Sequence, residues 1–241
     1  MYPVIVHIYG GGFSAGSTME LGPEYFLYNG KTIFVSLSYR LGVFGFLSTG
    51  DENSPGNYGL KDQALALKWV RKNIRAFGGN PNSVTLMGQS AGAVSIQMHM
   101  MSPLSQGLFH RAVIQSGSAL TPFNEPTKRP LDLVQLQAKA VGIRKPEYYS
   151  SEELIDRLRV VDANLLVTSA FKLKVANIFP FILYRPVVEK ESKGAFITKN
   201  WKRTWESGAF KHIPLLFTFV SNEGALLQGY DGNNILLLKK S

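Results

Sequence analysis

Gly88-Gln89-Ser90-Ala91-Gly92 follows the apolar, β-branched run Ser83–Met87 and leads into a run of helix-forming residues. A serine between two glycines at a strand-to-helix junction sits on a sharp turn, and its hydroxyl points out at the carboxyl end of a sheet. Gly88 and Gly92 leave room for strand and helix to cross, where a side chain would crowd the turn. The chemistry this suits is attack of a serine oxygen on a carbonyl carbon. Such attack needs three things: the nucleophile, donors for the oxyanion that forms, and a base oriented by an acid.

Ser90 supplies the nucleophile. For the donors, Gly10-Gly11-Gly12 directly follows the strand-like run Val4–Tyr9. A glycine loop there can aim bare backbone N–H groups at a developing negative charge, each typically contributing about 3 kcal/mol in the transition state. The N–H of Ala91 adds its own donor at a helix start, where the helix dipole also favours an anion. The expected oxyanion donors are therefore N–H groups of the Gly10–Gly12 loop together with that of Ala91.

The elements that must carry these residues alternate in type. Thr32–Ser38 reads as a second strand. Leu60–Phe77 has helical periodicity and is closed by Gly78-Gly79-Asn80-Pro81. Next come the elbow strand, a helix over Ala91–Met101, and strands at Arg111–Gln115 and Leu215–Val220. Residues 122–213 lie between these last two as a helical insertion, with helices expected at Asp132–Val141 and Ser151–Val160. This alternation predicts an α/β fold with a mostly parallel sheet, in a single domain over 1–241.

Composition sets further bounds. The 241 residues are 45% hydrophobic and 12% aromatic, ample for a globular core. No apolar stretch approaches the ~20 residues of a membrane span. The net charge of +9 comes from scattered lysines and arginines with no nucleic-acid motif around them, so a solvated basic exterior is expected. With no cysteine, disulfides and thiolate metal sites are excluded within the chain. Met1 runs at once into an apolar strand, with no leader pattern. The compartment, cytoplasmic or secreted, stays open, as does the oligomeric state.

Several motifs in order resemble the type B carboxylesterase and cholinesterase family, most of all its insect carboxylesterases. They are Val6–Phe13, Ser38–Gly42, Gly56–Gln63, Asn73–Gly79, Gly88–Gly92 and Phe109–Gly117, with weaker similarity up to Ser221–Gly224. The resemblance implies an α/β-hydrolase fold acting on small carboxylic esters, without metal or cofactor. It assigns Ser90 as nucleophile, Gly11, Gly12 and Ala91 as oxyanion donors, and Glu223 as the triad acid. A carboxylate just past a strand's carboxyl end does share the face where Ser90 emerges. Some cholinesterase-like members are non-catalytic binding or adhesion proteins. That alternative is disfavoured by the retained serine, glycines and glutamate.

The resemblance also implies a triad histidine beyond the acid, and none follows Glu223. The four histidines present are expected to be structural. His99 is about 13 Å along its helix from Ser90, and His7 is about 13 Å before Gly11 in its strand. His110 and His212 precede their strands, at the far end from the catalytic face. The expectation is a fragment of a protein roughly twice as long, holding the contiguous central strands 4-3-5-6-7 of the family sheet. It would show negligible activity alone, and apolar Ile33-Phe34-Val35 and Leu215-Leu216-Phe217 would lie at its sheet edges. Two departures bear on the fold and the substrate. Gln89 replaces the glutamate of cholinesterases, which disfavours a cationic ester. A family disulfide would fall near Pro146 and Arg157, so packing must hold that loop instead.

Overall fold

The computed structural model describes residues 1–28, 30–121, 124–173 and 182–225. Among these, the strands are β1 Tyr2–Ile8, β2 Ile33–Ser36, β3 Gly79–Gln89, β4 Arg111–Gln115 and β5 Leu215–Thr218. They form a single parallel sheet in the order β2-β1-β3-β4-β5. That is the expected central order. The helices are α1 Glu24–Leu27, α2 Gly42–Phe46, α3 Tyr58–Asn73, α4 Ala91–Met101, α5 Pro130–Ala140, α6 Ser151–Arg159, α7 Ala163–Ala170 and α8 Trp201–Glu206. None is long and apolar enough to cross a membrane. Of the expected insertion 122–213, residues 122, 123 and 174–181 lie outside the described residues.

The centre of the sheet is buried. Val4, Val6 and Ile8 of β1, Val84 and Leu86 of β3, and Ile114 of β4 are fully excluded from solvent. This two-residue period brings one side-chain face of each strand into the core. α4 is buried on every side from Ala91 to Met100, as its sequence, apolar all round, requires. It lies against β3, β4 and β1 on one side and α8 on the other. The three central strands thus press the elbow helix into place.

Some boundaries differ from the sequence expectation for local reasons. α3 ends at Asn73, and a 3-10 turn over Ile74–Phe77 completes the expected helix. Gly78 then stops it in the left-handed conformation, φ 82°. β5 stops at Thr218 because the Val220 N–H turns aside to donate to Glu223 Oε1 at 3.0 Å. The short helices α1, α2, α7 and α8 carry too few periodic residues to be read in advance. β2 and β5 are the sheet edges, and on β5 Leu216 is 55% and Phe217 38% exposed.

Two devices fasten the segment between β4 and β5. Near Pro146, where a disulfide is absent, the Arg157 guanidinium sits 4.0 Å over the Tyr149 ring. A reciprocal pair of bonds between Ser150 and Glu153 caps α6 just beyond. Farther on, Glu189 has a fully buried side chain. It accepts from Asn57 Nδ2 at 2.8 Å, Lys61 Nζ at 2.6 Å and the Phe196 N–H at 3.0 Å. Asn57 also exchanges two bonds with the Val187 backbone, so residues 187–196 are tied to the start of α3.

Candidate active site

Ser90 joins β3 to α4 with φ 54° and ψ −120°, a conformation that L residues rarely adopt. Strain of this kind persists only where its surroundings enforce it, and here three backbone approaches do so. An ideal Cβ on Gly88 would lie 2.8 Å from the Gly92 carbonyl carbon. One on Gly92 would lie 2.0 Å from the Ile8 oxygen, and one on Gly117 would lie 2.4 Å from the Ser90 oxygen. The Ser90 N–H donates to the Gln115 carbonyl at 2.9 Å, pinning the turn to the end of β4. The side chain is half-buried, at the carboxyl edge of the sheet.

The glycine loop meets this turn. An ideal Cβ on Gly10 would lie 3.1 Å from Ser90 Cβ and 2.7 Å from the Gln89 oxygens. Gly11, Gly12 and Phe13 follow with φ of 100°, 61° and 60°. The Gly11 carbonyl accepts from the Ser14 and Ala15 N–H groups at 3.1 and 3.0 Å. Because the peptide is planar, fixing that carbonyl also fixes the N–H of Gly12 on the opposite side. Ala91 is the first residue of α4, where N–H groups have no partner within the helix. The structure therefore brings Ser90, Gly10–Gly12 and Ala91 to one place.

Glu223 lies past the end of β5 at the same edge of the sheet. It is exposed, and its pKa is lowered by a bond from the Ser116 side chain and one from the Val220 N–H. Ser116 follows β4, has φ 47°, and donates its N–H to the Thr218 carbonyl at 2.8 Å. Since Ser90 is bonded to Gln115, Glu223 and Ser90 are braced on consecutive residues of the same strand end. Sequence reasoning did not single out Ser116. Its position directly after β4, within the motif Phe109–Gly117, was the available signal.

The histidines stand elsewhere. His99 is buried in α4, with Nδ1 2.6 Å from Ser105 Oγ and Nε2 2.9 Å from Gln63 Oε1. His110 accepts the Val84 N–H on Nδ1 at 3.2 Å, at the amino end of β4 and midway along β3. His212 precedes β5 and contacts the Gly208 carbonyl at 3.1 Å. His7 is buried within β1, its ring 5.9 Å from that of Phe34. None is placed to take a proton from Ser90.

Burial holds His99 neutral by lowering its pKa from 6.5 to about 3. The unfolded chain binds a proton below about pH 6.5, whereas the folded chain does not until about pH 3. This contribution to stability is complete above pH 6.5 and is lost as pH falls toward 3, by roughly 1 kcal/mol per pH unit. The lowered His7 and His110 act in the same direction. The thermal midpoint is therefore expected to drop on acidification from pH 6.5, and His99→Gln should flatten that slope. An unchanged slope in the variant would contradict the neutral assignment.

The whole chain, residues 1–241, matches the Carboxylesterase family. It belongs to that family. It is 42% identical over 231 residues to juvenile hormone esterase of Tribolium castaneum, covering 94% of this chain and 39% of that protein. It is 40% identical to esterase FE4 of Myzus persicae (95% and 39% covered) and 40% identical to acetylcholinesterase of Danio rerio (95% and 36%). Among solved structures, it superposes on juvenile hormone esterase from Manduca sexta with OTFP covalently attached. The TM-score is 0.76 at 35% identity, covering 89% of this chain and 40% of that one. The α/β-hydrolase fold follows from this match. The chain spans about two-fifths of the length of these relatives.

Proposed function

We propose that this chain carries the nucleophile, the oxyanion cradle and the acid of a serine carboxylic ester hydrolase. The observation that carries the reading is the strained Ser90 at the start of α4, with the glycine loop against its Cβ. Ser90 Oγ attacks the ester carbonyl carbon, and the carbonyl oxygen becomes an anion held by the N–H groups of Gly11, Gly12 and Ala91. Collapse breaks the bond to the alcohol, which leaves with the proton taken from Ser90. Water then attacks the acyl-enzyme by the same route and releases the acid.

The proton shuttle is assigned to an imidazole outside these 241 residues, oriented by Glu223 Oε2 or Oε1. Support comes from the placement of all four histidines away from Ser90 and from the greater length of the relatives. The substrate class is an uncharged ester: Gln89 beside Gly10 is neutral, and the +9 net charge repels a cationic one.

The test is hydrolysis of 4-nitrophenyl acetate by the 241-residue chain, with and without added imidazole. Removal of a triad member leaves about 10³–10⁴-fold catalysis over water in an intact fold. The expected result is slow turnover, read above the reaction of imidazole itself with the ester, that imidazole accelerates saturably and that Ser90→Ala abolishes. Fast hydrolysis without imidazole, or turnover above the imidazole background that survives Ser90→Ala, would contradict the assignment.

A further inference from the structure

The two N–H groups of the oxyanion loop are only as well aimed as the peptides that carry them. Two carbonyls, of Gly10 and Gly11, sit on those peptides, and a third, of Tyr9, sits on the peptide that leads into them. The Gly11 carbonyl is held by Ser14 and Ala15, as described above. The Gly10 carbonyl is packed against Gly16, where an ideal Cβ would lie 2.6 Å away. The Tyr9 carbonyl, at the root of the loop, accepts from the Tyr39 hydroxyl at 2.8 Å. Tyr39 is buried, and its ring stacks on that of Tyr9 with centroids 4.6 Å apart.

The far end of the loop is held from the same place. Gly42 N–H donates to the Phe13 carbonyl at 2.7 Å, and Phe13 packs on Phe46 of α2. Between Tyr39 and Gly42, Arg40 is fixed to Asp62 of α3 by three bonds. They run from its backbone N at 3.0 Å and from Nε and Nη2 at 2.8 Å each. An ideal Cβ on Gly59 of α3 or Gly45 of α2 would lie 2.4 or 2.1 Å from the Arg40 oxygen, so this segment has no slack. Residues 39–42 thus grip the glycine loop at both ends and are themselves bolted to α3.

We propose that Tyr39 is a positioning residue for the reaction at Ser90: its hydroxyl fixes the root of the glycine loop and so aims the oxyanion donors. This rests on the nucleophile reading above and adds a residue to it. Burial raises the pKa of the phenol well above its ordinary value, so it remains a donor at every working pH. The Tyr39→Phe variant keeps the ring stack and loses only the bond to the Tyr9 carbonyl.

The test compares wild type, Tyr39→Phe and Tyr184→Phe. Tyr184→Phe loses an equally buried hydroxyl, bonded to Gln137 on α5 rather than to the loop. Two quantities are read: hydrogen exchange of the Ser14, Ala15 and Gly42 amides, and labelling of Ser90 by a fluorophosphonate in imidazole buffer. In Tyr39→Phe, exchange is expected to quicken about tenfold and labelling to slow about tenfold at an unchanged half-saturating probe concentration, the range of one lost hydrogen bond. Tyr184→Phe should change neither. Unchanged exchange, wild-type labelling in Tyr39→Phe, or equal slowing in Tyr184→Phe would overturn the proposal. A wild type that takes no label at Ser90 refutes the nucleophile reading separately. Exchange then decides the clamp alone, faster exchange supporting it and unchanged exchange overturning it.

Discussion

Gly92→Ala is expected to leave the chain unfolded or barely folded at 37 °C. The new methyl would sit 2.0 Å from the Ile8 oxygen, 2.9 Å from the Ile8 carbon and 3.0 Å from the Tyr9 oxygen. All three atoms are backbone, so no side chain can rotate away. Relief requires α4 to move off β1, and α4 is buried on all sides. Overpacking a core costs about 1–3 kcal/mol when side chains can yield, so a larger loss is expected here. That is a large share of the 5–15 kcal/mol that a domain has in total. With about 2–4 °C lost per kcal/mol in a domain of this size, the melting temperature should fall by roughly 10 °C or more. Gly224, where an added Cβ meets nothing within 4 Å, is the control. Gly224→Ala should melt within a degree or two of wild type, and equal melting of the two variants would contradict the packing described.

The second large effect is expected at Lys61. Lys61→Met removes the cation from Glu189, whose side chain is entirely buried. Breaking one partner of a buried pair typically costs about 3–5 kcal/mol because the remaining charge is stranded. The Asn57 and Phe196 donors still reach Glu189, which places the cost toward the lower figure. Glu189→Gln in the same chain should restore part of the loss, since the amide oxygen still accepts from Asn57 or Phe196 and no charge is left. The urea midpoint of the three proteins measures this. A double variant no more stable than Lys61→Met would mean that the pair holds residues 187–196 by shape alone.

The parts of the fold legible in the sequence were those with local signals. α4 and β4 run over the residues expected, because each is a dense apolar run between clear punctuation at Ser90, Met101, His110 and Gln115. α2 was not legible: Gly-Val-Phe-Gly-Phe carries two glycines and no helical period, and it is held by Phe46 against Phe13 rather than by propensity. The same division holds at the site. Ser90, Gly88, Gly92 and the glycine loop are visible because each makes its geometry within a few residues. Ser116 and Tyr39 are not, because what they do depends on Glu223 and Tyr9, partners distant in the chain. The family resemblance supplied Glu223, which a loop carboxylate alone would not have distinguished.

The central claim is that Ser90 is a nucleophile set in an oxyanion cradle. Incubating the folded 241-residue chain with a fluorophosphonate in imidazole buffer, which stands in for the missing base, and mapping the adduct by peptide mass spectrometry tests it most directly. A single adduct on the Ser90 peptide, slow to form and absent from Ser90→Ala, is the predicted result. An adduct on another serine, such as Ser14 or Ser116, or an unmodified Ser90 peptide from folded protein at saturating probe, would contradict it.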